Sequence, residues 1–109
     1  SKTQLHAKRD LEMDKIYKAA IELKVLFQEM EGDLGIASLS EIEKNVLLAI
    51  AALQDDSGVA MTKDILSHQF LTLSSRPSVF RAIRKLERNK RIFRCLGKNG
   101  HYKLLDVSV

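Results

Sequence analysis

Apolar residues recur along the first third of the chain at helical spacing. Met13, Ile16, Ala20, Leu23, Phe27 and Met30 follow one another at intervals of 3, 4, 3, 4 and 3, a heptad-like a/d seam. No proline or glycine interrupts Thr3 to Met30, so the pattern predicts one long helix over that span. Lys15, Lys18, Glu22 and Lys24 fall mostly off the seam, and the first turns, with Lys2, Lys8, Arg9 and Asp10, are polar. Helices draw most of their stability from packing, so a stripe this long requires a partner surface. We expect the end of the seam to pack within the chain and its start to pair two copies. The dimerisation candidates are Met13, Ile16, Ala20, Leu23 and Phe27.

The remaining pattern is shorter in period and richer in stops. Glu31 to Leu39 reads as a linker, with Gly32 and Gly35 as stops for the preceding helix. Ser40 and Glu43 have capping-box spacing and open a second helix, whose buried stripe is Ile42, Val46, Ile50 and Leu53. Gln54 to Gly58 closes it. Val59-Ala60-Met61 suits a small strand, and Thr62 a helix N-cap, with Ile65, Leu66 and Phe70 facing inward on a third helix. Ser74 and Ser75 precede a fourth helix with Pro77 in its first turn, running to about Asn89. Ile92 to Leu96 and His101 to Leu105 flank Gly97-Lys98-Asn99-Gly100, a hairpin signal. With Asn99-Gly100 as a two-residue turn, Phe93, Cys95, Tyr102 and Leu104 share an inward face. Arg94, Lys98, His101 and Lys103 then share the outward one.

Composition narrows the class. The 109 residues are 45% hydrophobic and 29% charged, a globular balance at one-domain length. One cysteine, Cys95, forms no internal disulfide, and on the hairpin's apolar face it reads as an inert thiol. No apolar run approaches the roughly 18 residues of a membrane span. His6, His68 and His101 are far apart and no metal-ligand spacing occurs, so no metal or cofactor is expected. No glycine-rich phosphate loop, nucleophile or base constellation assembles, so an enzyme is not expected.

Charge is the informative quantity. Residues 1–75 carry eight Lys/Arg against twelve Asp/Glu, whereas 76–103 carry ten Lys/Arg against Glu87 alone. A +9 stretch of this length calls for a polyanionic partner, because Lys and Arg displace counterions from a phosphate backbone. On a wheel of 100° per residue, Val79, Ala82, Ile83 and Leu86 cluster in one arc. Pro77, Ser78, Arg81, Arg84, Lys85 and Arg88 occupy the opposite one.

From Ser40 to Leu105 the order of helix, short strand, helix, turn, helix and hairpin resembles the winged helix-turn-helix domain of MarR-like bacterial regulators. Val59-Ala60-Met61-Thr62, Leu73-Ser74-Ser75-Arg76-Pro77-Ser78-Val79, Arg81 to Glu87, and Arg91-Ile92 carry the resemblance. It implies a mainly α fold with a small β-hairpin wing, in which the winged helix-turn-helix (40–109) follows a long N-terminal helix (1–31). It also implies a sequence-specific regulator of transcription that binds double-stranded DNA as a homodimer in the bacterial cytoplasm, associated with the nucleoid. Arg76, Ser78, Arg81 and Lys85 are the candidate base readers of a helix lying in the major groove. Arg84 and Arg88 would touch phosphates, as would Thr62 and Lys63, Ser74 and Ser75, and the wing residues Arg94, Lys98, Asn99 and His101. Thr62 and Ser75 equally suit plain helix caps. Larger members carry an acidic-x-Arg pair in the wing, where this chain reads Gly97-Lys98-Asn99-Gly100. They also dimerise through helices beyond the wing, so here the dimer contacts are expected mostly from the N-terminal helix. A protein-interaction module and a non-specific architectural DNA-binding protein are the alternatives.

Overall fold

The computed structural model describes residues 2–95, 97 and 99–105, with side chains from Leu11 onward. The chain divides into two compact units, one through Ser38 and one from Leu39. The first is built on a single helix, α1 (Lys2–Leu34). It runs four residues beyond the expected end: Gly32 is helical, and Gly35, at φ 70°, is the stop. Gly35 N–H donates to Gly32 O at 3.1 Å and Ile36 N–H to Glu31 O at 3.0 Å, closing the helix with paired Schellman bonds. A lone glycine inside a helix costs only about 1 kcal/mol, which the surrounding turns absorb. The seam from Met13 to Leu34 is exposed throughout, including Met30 at its end, the part expected to pack within the chain. Tyr17, Ile21 and Val25 form a second exposed apolar row at i, i+4, i+8. Among the described residues no helix is long and apolar enough to cross a membrane.

The second unit is mainly helical with a small three-stranded antiparallel sheet. Helix α2 (Glu41–Ser57) begins at Ser40, whose hydroxyl accepts from Glu43 N–H at 3.3 Å, and ends at Gly58 in the left-handed region. Strand β1 (Ala60–Met61) leads directly into α3 (Thr62–Leu66), and α4 spans Arg76–Arg88. Strands β2 (Ile92–Arg94) and β3 (His101–Leu104) complete the sheet, in the order β1-β3-β2. Val46, Ala49 and Ile50 of α2 meet Val79, Ala82, Ile83 and Leu86 of α4, with Ile65, Leu71, Ile92 and Tyr102 filling the same core. Beyond the short β1, Leu104 N–H donates to the Gln54 side-chain oxygen at 2.8 Å, so α2 supplies a hydrogen bond that the strand is too short to make.

Two local expectations are corrected. The third helix does not carry Phe70 inward. It stops at Leu66, and a 3-10 turn follows over Gln69–Leu71, where His68 Nδ1 accepts from Phe70 N–H at 3.2 Å. The change of helical period buries Leu71 and leaves Phe70 outside, 4.5 Å from the His68 ring centroid. The hairpin register also differs. Ile92 pairs with Leu104, Phe93 with Lys103 and Arg94 with Tyr102, while Cys95 N–H donates to His101 O at 2.8 Å. The connection is therefore the five residues 96–100 rather than a two-residue turn. That shifts the partner of each β2 residue by three positions, and an odd shift reverses which side of the sheet it faces. Ile92 is buried, whereas Phe93 is exposed and Cys95 half-buried on the side opposite Tyr102.

Candidate nucleic-acid interface

Helix α4 owes its placement to a cap and a stripe. Ser75, in an extended conformation, accepts from Ser78 N–H at 3.3 Å, and Pro77 occupies the first turn, where its missing N–H costs nothing. The buried stripe Val79, Ala82, Ile83 and Leu86 anchors the helix, so the opposite arc faces outward. On that arc Arg81, Arg84, Lys85 and Arg88 are exposed and Ser78 is half-buried, while Arg76, in the first turn beside the buried stripe, is exposed as well. The Ser75 hydroxyl donates to Ser78 Oγ at 2.8 Å, and Ser78 Oγ in turn accepts from the Arg81 guanidinium at 3.2 Å. The chain Ser75–Ser78–Arg81 pre-orients Arg81 while leaving its other donors available. Arg81, Arg84, Lys85 and Arg88, with Glu87, line an open depression along the helix. Among the described residues, Arg84 and Arg88 have no acidic partner.

Two of the cations carry partners that sequence reasoning missed. Lys85 Nζ lies 3.2 Å from Glu43 Oε1, a carboxylate buried between the start of α2 and α4. Glu43 also accepts from the Ser40 hydroxyl at 2.9 Å. Arg94 pairs with Glu87 at 3.1 Å and lies 5.9 Å from the Tyr102 ring centroid. The hydrogen bond to Glu87 raises the Arg94 guanidinium above its already high range. Its charge is thus largely met within the fold, in contrast to those of Arg84 and Arg88. Glu43 was legible only as half of a capping box, and its distance from Lys85 along the chain left no signal of the pairing.

The outlying candidates divide. Thr62 does not cap α3, since Met61 holds that position without a side-chain bond. Instead Thr62 donates its N–H (2.8 Å) and its hydroxyl (3.1 Å) to Gly100 O, tying the start of α3 to the loop before β3. Those donors are spent, so a phosphate contact through Thr62 loses its basis, while Lys63 beside it is exposed. Ser74 is half-buried, with its N–H donated to Leu71 O at 3.0 Å. Asn99 is exposed and its carbonyl lies 3.1 Å from His101 Nδ1. Lys98 and Leu96 lie outside the described residues. On α1, Met13, Ile16, Ala20, Leu23 and Phe27 are all exposed.

What the arrangement offers chemically is a fixed array of donors and positive charge. Among the described residues no group of three or more His, Cys, Asp or Glu is placed to hold a metal ion. No family model, curated protein or solved structure matches this chain.

Proposed function

We propose that the second unit is a winged helix-turn-helix, that it binds double-stranded DNA sequence-specifically through α4, and that the protein regulates transcription as a homodimer. The observation that carries this reading is the outward arc of α4, where Arg81, Arg84 and Arg88 stand exposed opposite a fully buried stripe. A helix of these dimensions enters a major groove, and arginine pairs bidentately with the O6 and N7 of guanine. Arg81 is the favoured base reader because Ser78 holds it in place, which lowers the entropy lost on binding. Arg84 and Arg88, further along, suit phosphates, and Lys63 and Asn99 are secondary backbone contacts. Strand β1 ahead of α3 and the antiparallel β2–β3 pair after α4 are compatible with the winged arrangement.

The test is binding of the purified protein to mixed-sequence and selected duplexes across a salt series. A steep negative salt slope with enrichment of a preferred sequence supports the reading. Arg81→Ala should cost about 1–3 kcal/mol on the selected site and much less on mixed sequence. Equal losses on both would remove Arg81 as a base reader, and a salt slope without enrichment would favour an architectural, non-specific role. A second reading has one observation in its favour. Leu73 is wholly exposed and Phe70 somewhat under half exposed, just ahead of α4, and apolar anchors of this kind suit a protein partner. Absence of DNA binding at low salt would turn the assignment to that reading.

A further inference from the structure

The apolar seam of α1 demands a covering surface. Met13, Ile16, Leu23, Phe27, Met30 and Leu34 are between 44 and 66% exposed. Their 3–4 spacing reaches Leu34 because the helix itself runs that far. At roughly 100 Å² per half-exposed large side chain, these six and the flanking Leu26 present about 700 Å², close to the ~800 Å² each partner contributes to a stable interface. We propose that the seam is covered by α1 of a second copy of the chain, running antiparallel, with Met13 opposite Met30, Ile16 opposite Phe27 and Ala20 opposite Leu23. The inference rests on the dimeric DNA-binding reading and adds the orientation of the pair.

Side-chain volume decides the orientation. In a parallel pair each seam residue meets its own copy, so Ala20 against Ala20 leaves a void and Phe27 against Phe27 overfills its layer. The antiparallel register sets Ala20 against Leu23 and Phe27 against Ile16, the small-with-large alternation that fills a core evenly. Charge does not decide the orientation: in this register Glu12 approaches Asp33 of the other copy, at the solvated rim where salt screens the repulsion.

The orientation also sets a spacing. In this register Leu34 stands opposite position 9, so at 1.5 Å per residue the two C-terminal ends of α1 lie about 37 Å apart along the pair. A parallel pair would bring the same ends within about 10 Å of each other.

Two single-cysteine proteins test this, Met13→Cys and Met30→Cys, each also carrying Cys95→Ser. They are mixed in equal amounts, unfolded and refolded together without DNA, and oxidised, while sedimentation equilibrium gives the mass of the unoxidised mixture. The expected result is a dimer mass and a 13–30 cross-link at least fivefold more abundant than either the 13–13 or the 30–30 product. Dominant 13–13 and 30–30 products would overturn the orientation, and a statistical mixture would overturn a fixed register. A monomer would overturn the pairing and return the seam to its own chain or to another protein. Because no DNA is present, failure here leaves the Arg81→Ala binding result standing, and failure of that result leaves the cross-link standing.

Discussion

Lys85→Met probes how the fold holds the buried carboxylate of Glu43. That side chain is 7% exposed, with Oε1 at 3.2 Å from Lys85 Nζ and 2.9 Å from Ser40 Oγ. Oε2 is buried with no hydrogen-bond partner among the described residues. At that separation and an effective dielectric constant of about 20, the Coulomb attraction is about 5 kcal/mol. The Lys85 side chain is 55% exposed, so water screens much of it, and a net coupling of about 1–3 kcal/mol is expected. Methionine keeps the apolar stem of Lys85 and removes only the charge. Urea unfolding, followed through the amide NMR signals of Ile83 and Leu86, should therefore show a loss of about 2 kcal/mol. In thermal unfolding the same change should lower the Tm by about 8–16 °C for a unit of this size. Adding Glu43→Met removes the stranded carboxylate, so the double variant should be about 1 kcal/mol more stable than Lys85→Met alone, even with the bond to Ser40 gone. Wild-type stability for Lys85→Met would refute the argument, as would a double variant whose loss equals the two single losses added together.

Two backbone positions make sharper local tests. Gly100 has φ +75°, and a Cβ there would lie 2.9 Å from Thr62 Oγ1, so Gly100→Ala should cost about 2–3 kcal/mol in thermal unfolding. Gly97 has φ +76° with open space around it, so Gly97→Ala should cost only about 1 kcal/mol. Equal losses would mean that the Thr62 contact contributes nothing. Lys90 ends α4 at φ 59°, with Arg91 N–H donating to Leu86 O at 2.9 Å. It holds the left-handed position that glycine fills at no steric cost, so Lys90→Gly should raise stability by about 0.5–1 kcal/mol. A lower unfolding midpoint would refute the strain account.

Legibility in the sequence followed the range of the interactions. The caps at Ser40 and Ser75, the placement of Pro77 and the buried stripe of α4 depend on residues within four positions of one another. All of them stand in the structure where the pattern put them. The same locality explains why Arg81, Arg84 and Arg88 were readable as an outward basic arc: a helix anchored by Val79, Ile83 and Leu86 has only one face left to present. Phe70 and Leu71 show where this reasoning breaks. Either fits an apolar position on a continuing helix, and a change of helical period at His68 reversed the choice.

What the sequence by itself determined is thus the order of the elements, the ends of α2 and α4, and the segregation of charge from apolar surface on α4. Tertiary structure decided which cations are balanced. Lys85 finds Glu43, and Arg94 finds Glu87 across the turn from α4 to β2, through contacts that exist only once the chain has closed on itself. It also decided the hairpin register, because the five-residue connection and the bond from Thr62 to Gly100 O act together. An odd shift there exchanged the inward and outward residues of β2 while leaving Tyr102 buried on β3. Local periodicity names the two faces of a strand, and only the closure of the sheet onto α2 and α4 selects which one is inside.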